Sequence, residues 1–207
     1  MKISLQNAGK RFNREWVFRR LDYTFLPGRS YAITGPNGSG KSTLLQIIGG
    51  GVMHSEGTIA YGNDDNTQNN IVGENAYRQI SFAAPYLELI EEMTANEFLA
   101  FHARFKQFQK PFSEMLSVVG LSKAGDKQIR YFSSGMKQRL KLAQAFFSNT
   151  SVLLLDEPLT NLDEEGISVY KKLWDEHAAG RLVIVSSNDT QEYERCGEVI
   201  SIYDYKG

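Results

Sequence analysis

This sequence of 207 residues has very little of three things: cysteine, long apolar runs and net charge. Cys196 is the only cysteine, so no disulfide can form within the chain, and we expect a half-buried apolar filler at that position. The longest apolar runs, such as the one in "SVLLLDE", are far too short to cross a bilayer, and the polar N-terminus lacks the apolar core of a signal peptide. These absences predict a cytoplasmic protein that needs a partner for any role at a membrane.

The charge balance argues against two classes of partner. A formal net charge of -1 gives no electrostatic reason to expect binding to nucleic acid or to an anionic membrane. Hydrophobic residues make up 42% of the chain and charged residues 23%, which is ordinary for a folded globular protein. We therefore expect one domain with a substantial core, to which a small lobe can be added.

Strand-like segments recur along the chain and alternate with helical patterns. The strand candidates are "KISL", "FRRLDYTF", "SYAIT", "GTIAYG", "QISFAA", "SVLLLDEP", "RLVIVSS" and "VISIYDY". Continuous apolar runs such as those in "SVLLLDEP" and "RLVIVSS" are typical of strands buried on both faces of a parallel sheet. The pattern predicts an α/β fold, with "NDDNTQNN" as an exposed loop.

A helical stretch interrupts this α/β pattern from Thr94 to about Val119. It places Phe98, Phe101 and Phe105 at spacings of three and four residues, which predicts an aromatic stripe on one helix face. Such a stripe is more often core than a binding surface, so we expect these rings to be buried.

The stretch "GPNGSGKST", residues 35–43, fits the phosphate-binding pattern G-x-x-x-x-G-K-[ST] in full. A predicted strand precedes it and a predicted helix follows it, as the pattern requires. Glycines let the backbone wrap around phosphate oxygens, while Lys41 offers a positive charge and the Ser42 hydroxyl can ligate Mg²⁺. The residues predicted to contact the nucleotide here are Gly35, Pro36, Asn37, Gly38, Ser39, Gly40, Lys41, Ser42 and Thr43.

Two adjacent carboxylates follow the strand in "SVLLLDEP". Asp156 leaves the sheet at the carboxyl end of that strand, where it is expected to lie beside the phosphate loop and to help hold Mg²⁺. Glu157 comes next and is the candidate to position or deprotonate an attacking water.

Three further motifs carry a family resemblance over nearly the whole chain. "FSSGM", residues 132–136, resembles the LSGGQ signature of ABC ATPases, and "TNLD", residues 160–163, resembles their D-loop. Phe12 stands where the family has the aromatic that stacks on adenine. The resemblance implies a P-loop NTPase of the ABC-ATPase fold, with a mostly parallel sheet core, an N-terminal antiparallel β part and an inserted small helical lobe. It implies a single domain over residues 1–207, with the core formed by 1–84 and 133–207 and the lobe by approximately 85–132.

The resemblance also implies a mechanism. Two ATPase subunits, identical or different, pair head to tail, so that ATP on one phosphate loop is closed over by the other subunit's signature segment. Ser133, Ser134 and Gly135 would then contact the nucleotide from the start of a helix, whose buried face carries Leu140, Ala143 and Phe147. The implied cofactors are ATP and Mg²⁺, and the implied partner is a membrane-spanning subunit on a separate chain. The ATPase would act peripherally on the cytoplasmic face of the membrane.

Departures from the family pattern bear on activity. Pro85 occupies the position of the Q-loop glutamine and has no side-chain donor or acceptor. Asn188 occupies the position of the switch histidine; its amide can donate to a phosphate oxygen but cannot accept a proton. Met136 and Ser134 are milder changes in the signature. Because Lys41, Ser42, Asp156 and Glu157 are intact, these differences predict a slow ATPase with altered coupling.

Two alternatives to a transporter subunit remain open from the sequence. One is an ABC ATPase that works without a transporter, and the other is an ATP-dependent dimerisation clamp that hardly hydrolyses. Within the transporter class, the short length resembles compact ATPases of export systems, including the haem-export type of cytochrome c biogenesis. "PYLELIEEMT", from Pro85 to Thr94, either docks a helix of the membrane subunit or packs the lobe against the core.

Overall fold

An antiparallel sheet forms the N-terminal part of the protein. The computed structural model describes residues 1–62 and 76–206, so the predicted loop "NDDNTQNN" lies outside the described residues. The sheet contains β1 (Lys2–Phe12), β2 (Glu15–Phe25) and β4 (Glu56–Gly62), in the order β2-β1-β4. The β1–β2 hairpin turns through only two residues, with Asn13 at a φ of 52°, and this tight turn leaves Phe12 at the hairpin tip.

A five-stranded parallel sheet forms the core. Its strands are β5 (Ile80–Ala83), β6 (Val152–Asp156), β7 (Leu182–Ser186), β3 (Ser30–Thr34) and β8 (Glu198–Ser201), in that spatial order. Every residue of β6 and β7 is buried, which confirms the prediction of strands covered on both faces. Because β7 lies between β6 and β3, the carboxyl ends of these three strands meet at one edge of the sheet.

Among the residues that the structure describes, four helices pack on this core: α1 (Lys41–Ile48), α4 (Ser134–Phe147), α5 (Glu164–His177) and α6 (Thr190–Tyr193). The predicted buried face of α4 is confirmed, since Leu140, Ala143 and Phe147 are fully buried. This face joins β6 and α5 in one apolar cluster, while α1 packs with the antiparallel sheet in a second cluster. The two clusters hold the sheet edge and the start of α4 in fixed positions.

Helices α2 (Ala95–Ala103) and α3 (Phe112–Val118) occupy the chain between β5 and α4. Thr94 caps α2 by a reciprocal pair of hydrogen bonds: its Oγ1 accepts from the Glu97 N–H at 3.1 Å, and its own N–H donates to Glu97 Oε2 at 2.8 Å. The prediction of one helical stretch is wrong in the middle, because α2 ends at Ala103 and Pro111 precedes the first residue of α3. The boundaries of the lobe, approximately 85–132, stay a prediction.

The predicted aromatic core of the lobe is only partly correct. Phe98 is buried, but Phe101 is 38% exposed and Phe105 is 52% exposed. Phe105 lies beyond the end of α2, so helical spacing no longer directs its ring toward the core. The two exposed rings pack on each other instead, with centroids 5.3 Å apart.

The last predicted strand is shorter than expected. β8 ends at Ser201, and Ile202–Tyr205 form a 3-10 helix. That turn contains the buried Ile202 side chain, which packs at Gly35: a Cβ on Gly35 would lie 2.9 Å from Cγ2 of Ile202. The end of the chain therefore helps to support the phosphate loop.

Candidate functional site

The phosphate loop lies between β3 and α1, and its backbone shape depends on glycine. Gly35 has a φ of 146° and Gly40 a φ of 101°, in the region that favours glycine. A Cβ on Gly40 would lie 2.2 Å from Cγ1 of Val17, and one on Gly35 would lie 2.8 Å from Oγ of Ser39. A side chain at either position would therefore collide with its neighbours, and both positions require glycine.

Lys41 is the first residue of α1, and its side chain curls back into the loop. It is buried, and its ammonium donates to the backbone carbonyls of Gly35 at 2.8 Å and Pro36 at 3.2 Å. These are neutral acceptors for a charged donor, so a phosphate oxygen would be a stronger partner for the same ammonium. The Lys41 ammonium is therefore positioned within the phosphate loop, where an anion can bind it.

Asp156 ends β6 directly beside this loop. It is buried, and neither of its carboxylate oxygens has a hydrogen-bond partner among the described residues. Burial raises the pKa of this carboxyl group, an effect opposed by the nearby hydroxyls of Ser42 and Ser186 and reinforced by the charge of Glu157. A buried carboxylate with two free oxygens beside a serine hydroxyl fits a hard cation such as Mg²⁺.

The described residues contain no cluster of three or more His, Cys, Asp or Glu side chains that could hold a metal ion. A cation at Asp156 and Ser42 would therefore need further oxygen ligands from outside the protein. Mg²⁺ is commonly bound in this way, by one or two protein groups together with substrate phosphates. The donor set fits a metal that arrives with a nucleotide.

Glu157 follows Asp156 in an uncommon backbone conformation. Its φ is 41°, in the left-handed region that costs a residue with a side chain free energy, and its N–H donates to the carbonyl of Ser186 on β7 at 2.9 Å. This turn directs the chain away from the sheet, and Glu157 forms part of the wall of the cavity above the phosphate loop.

A single cavity of about 340 Å³ brings several predicted residues together. Its walls are formed by Phe12, Val17, Asn37, Gly38, Gly40, Lys41, Ser42, Thr43 and Glu157. Phe12 is 52% exposed at the mouth of the cavity, and the Lys10 ammonium lies 4.6 Å from the centroid of its ring. The Phe12 ring thus contacts a cation on one face and lies at the mouth of the cavity.

Asn188 also reaches the phosphate loop. It follows β7, and its side-chain Nδ2 donates to Oδ1 of Asn37 at 2.8 Å. The chain before it is anchored by Ser187, whose N–H donates to the carbonyl of Ile33 at 3.1 Å. The amide of Asn188 therefore lies at the edge of the cavity.

The signature residues lie elsewhere on the surface. Ser133 caps α4, its Oγ accepting from the N–H of Met136 at 3.2 Å, and both Ser133 and Ser134 are exposed. Gly135 packs on the segment after β6, since a Cβ there would lie 2.9 Å from the carbonyl oxygen of Asn161. None of these three residues lines the cavity at Lys41, so one copy of the chain does not bring the predicted nucleotide contacts together.

Within residues 1–62 and 76–206, no helix has the length and apolar character needed to span a membrane.

Comparison with known proteins identifies the family. The family model for ABC transporters matches residues 18–160. The uncharacterized ABC transporter ATP-binding protein YybJ of Bacillus subtilis is 31% identical over 199 residues, which cover 92% of this chain and 87% of YybJ. The cytochrome c biogenesis ATP-binding export protein CcmA of Aliivibrio fischeri is 34% identical over 175 residues, which cover 83% of this chain and 84% of CcmA. The chain belongs to the ABC transporter ATP-binding family.

Solved structures of ABC ATPases share the fold. The cassette MJ0796, in a dimeric post-hydrolysis state bound to ADP and Pi, matches with a TM-score of 0.80 at 24% identity, covering 96% of this chain and 93% of the other. A putative ABC transporter ATP-binding protein from Pyrococcus furiosus matches with a TM-score of 0.78 at 20% identity, over 100% of both chains. The predicted fold class is confirmed: a P-loop NTPase of the ABC-ATPase type.

Three side chains of this ABC ATPase near the site were not predicted to take part in nucleotide binding. Tyr86 lies close to Asp156 and Gln46, and its pKa is raised by burial and by the charge of Asp156. Glu192 on α6 is buried, and its Oε1 accepts from the N–H of Leu159 at 2.7 Å. Lys141 is buried within α4. None of the three had a signal in the sequence: α4 also carries Lys137 and Arg139, so a further lysine at residue 141 does not stand out.

Proposed function

We propose that this ABC ATPase is the ATP-hydrolysing subunit of a transporter, and that two copies, or one copy and a related subunit, pair head to tail around ATP. The observation that carries the proposal is the separation of the two nucleotide-contacting segments. Lys41 and Glu157 share one cavity, whereas Ser133, which is exposed, and Gly135, which is half-buried, lie outside that cavity. A second subunit would supply the missing surface.

In the proposed bound state, Lys41 exchanges its two carbonyl partners for phosphate oxygens of ATP. The N–H groups of the loop and of the start of α1 would contact the remaining oxygens, since they lie at a helix N-terminus. Phe12 would stack on the adenine, with Lys10 on the opposite face of its ring. These contacts bind and orient the nucleotide in one copy.

Asp156 and Ser42 would hold Mg²⁺ together with the phosphate oxygens. When bound, the ion would neutralise charge on the transferred phosphoryl group. Ionised Asp156 is disfavoured by its own burial, so the incoming positive charge stabilises the carboxylate in the form that binds it. The residues therefore fit magnesium-dependent hydrolysis.

Glu157 would orient the attacking water and accept its proton, from the cavity wall next to Asp156. Asn188 would donate one hydrogen bond to the γ-phosphate, at the cost of its present bond to Asn37. Proline at residue 85 removes the contacts that a glutamine side chain would make there. We therefore propose slow turnover.

The second subunit would close the site with its Ser133–Gly135 segment. The hydroxyl of Ser133 and the N–H groups at the start of α4 are donors suited to a γ-phosphate. Loss of the γ-phosphate on hydrolysis would remove these contacts and loosen the dimer. ATP hydrolysis would thereby drive a movement of the two subunits.

A membrane-spanning subunit would dock beside Tyr86 and Leu87. Two grooves of about 500 Å³ and 410 Å³ flank these residues, and the second has mainly apolar walls that include Phe82 and Tyr77. Their position between β5 and the lobe would let docking act on the nucleotide site. On this proposal the protein is peripheral, on the cytoplasmic face of the membrane.

The test compares wild-type protein with Glu157→Gln in two assays. Steady-state phosphate release with Mg-ATP should be low in the wild type and at least about 100-fold lower in the variant, because a group that acts in the transition state is lost. Size-exclusion chromatography with Mg-ATP should show a dimer of the variant. Equal phosphate release in both proteins would overturn the proposed hydrolysis.

A non-hydrolysing clamp is the second candidate, favoured by Pro85 and Asn188 at two positions that usually assist hydrolysis. It predicts that wild-type protein, incubated with Mg-ATP and freed of excess nucleotide, stays dimeric with intact ATP for hours. Release of ADP as the dimer dissociates would favour the hydrolysing subunit.

A further inference from the structure

The helix that begins with the signature segment also contacts the chain at Pro85. Lys141, in the middle of α4, is buried, and its ammonium donates to the carbonyls of Ala84 at 3.1 Å and Pro85 at 2.6 Å. Burial of a lysine costs free energy unless its charge finds partners, so the two carbonyls stabilise it in this position.

A second lysine of α4 contacts the same segment from one turn earlier. Lys137 forms an ion pair with Glu91, and the side chains at 137 and 141 share one face of the helix. The two lysines therefore hold residues 84–91 near both ends, and the groove of about 500 Å³ lies between this segment and α4. We call residues 84–91 the docking segment.

The contact between Lys141 and the carbonyl of residue 85 matters because residue 85 is a proline. Residue 85 has no side-chain polar group and no N–H, so its carbonyl is the one polar group through which it can be held. The Lys141 ammonium contacts that group directly. The contact to this position thus comes from α4 rather than from the side chain of residue 85.

The docking segment and α4, which this contact joins, have separate roles in the proposed function. α4 is a single helix of 14 residues whose capping residue is Ser133, and its Leu140 and Phe147 are fully buried in the core. A packed helix moves as a rigid body, so a displacement at Lys137 and Lys141 is carried to Ser133. The docking segment and the phosphate-closing segment are joined by one rigid element.

We propose that Lys137 and Lys141 are positioning residues that make the docking segment and the start of α4 move together, in place of the absent glutamine. The inference rests on the proposed head-to-tail dimer. It assigns the relay between the membrane subunit and the nucleotide to two lysines of the signature helix.

The experiment measures hydrogen–deuterium exchange with and without Mg-ATP, in the full chain carrying Glu157→Gln to hold the dimer. In this background, ATP should slow amide exchange both at 133–140 and at 86–91. Adding Lys137→Gln and Lys141→Met should keep the protection at 133–140 and reduce that at 86–91 by about fivefold or more, since local opening is no longer coupled to dimer closure.

Two further variants separate the relay from simple packing. Lys141→Arg, used in place of Lys141→Met, keeps donors for the two carbonyls and should restore protection at 86–91. If Lys141 served only to fill space, methionine would already preserve that protection. Lys172→Gln removes a lysine of an exposed ion pair on α5 and is the matched control, expected to behave as the background. If Lys141→Met lowers the unfolding midpoint too far for exchange measurements, Lys137→Gln alone, at a half-buried position, should give a smaller loss of protection at 86–91.

The failures can be distinguished. Absence of ATP-induced protection at 133–140 in the background protein would contradict the proposed dimer itself. Protection at 133–140 with unchanged protection at 86–91 in the double-lysine variant would overturn the relay and leave the dimer standing.

Discussion

The side-chain amide of Asn188 donates to Oδ1 of Asn37 across 2.8 Å and thereby links the end of β7 to the phosphate loop. Asn37 lines the cavity that contains Lys41, so a change of partner at Asn188 also changes a hydrogen bond of the phosphate loop. An asparagine can donate one hydrogen bond there but cannot take up a proton. The position supports the orientation of a phosphate rather than proton transfer.

Asn188→Ala should lower kcat for ATP hydrolysis by about 100-fold, because an oriented donor to the transition state is lost. Asn188→Asp keeps the size, removes the donor and adds negative charge near the γ-phosphate, so its kcat should be at least as low. Steady-state phosphate release at saturating Mg-ATP measures both. Alanine at 188 with wild-type kcat would show that this amide plays no part in hydrolysis.

Phe12→Ala should weaken ATP binding by about tenfold, since stacking of a base on an aromatic ring contributes on the order of 1–3 kcal/mol. Phe12→Tyr should retain the affinity of the wild type. Equilibrium binding of ATP without hydrolysis, followed by isothermal titration calorimetry, gives the dissociation constants. Phe105→Ala is the matched control, because that ring is equally exposed but lies outside the cavity.

Gly135→Ala should abolish ATP-dependent dimerisation while ATP still binds to the monomer. The added Cβ would lie 2.9 Å from the carbonyl oxygen of Asn161, so the start of α4 must shift relative to the segment after β6. Gly197→Ala, where the added Cβ would lie no closer than 3.7 Å to its nearest neighbour, the carbonyl oxygen of Ser30, should dimerise as the wild type does. Light scattering with Mg-ATP in the Glu157→Gln background distinguishes the two; a dimer of the Gly135→Ala protein would count against the close approach at this position.

Stability should fall as pH rises through neutrality because of Glu192. Burial raises the pKa of its carboxyl group from 4.5 to about 7, partly offset by the hydroxyl of Ser187 and the N–H of Leu159. The folded state then binds a proton that the unfolded state releases, so this contribution is present below about pH 4.5 and is lost as pH rises through about 7. Relative to Glu192→Gln, the wild type should lose about 2–3 kcal/mol of unfolding free energy between pH 5 and pH 8.

Urea unfolding at a series of pH values measures this difference. The glutamine variant removes the titrating group and keeps an acceptor for the Leu159 N–H, so any remaining pH dependence belongs to other groups. Parallel curves for the two proteins would contradict the assignment to Glu192.

Much of the fold could be predicted because its signals are local. A buried strand, a glycine-rich turn and a helix follow one another from Ser30 to Ile48, and each has a composition that fits a single structure. The same holds for β6 and the pair Asp156 and Glu157. The prediction of a buried Phe105 was wrong because it assumed that the helix continues. Helical spacing would place this ring in the core, but α2 ends at Ala103.

The residues missed by sequence reasoning are those whose partners are distant along the chain. Lys141 contacts the carbonyls of Ala84 and Pro85, more than 50 residues away, and Glu192 on α6 contacts Leu159 in the turn after β6. Backbone carbonyl partners leave no mark in composition or spacing. Such contacts become visible only when the sheet order has brought the segments together.

The most direct test of the account is a crystal structure of the Glu157→Gln protein grown with Mg-ATP. We predict two copies related head to tail, with each triphosphate bound to Lys41 of one copy and to Ser133 and Gly135 of the other. A triphosphate bound away from Lys41, or bound at Lys41 with the Ser133 segment of every neighbouring copy out of contact, would contradict the central claim.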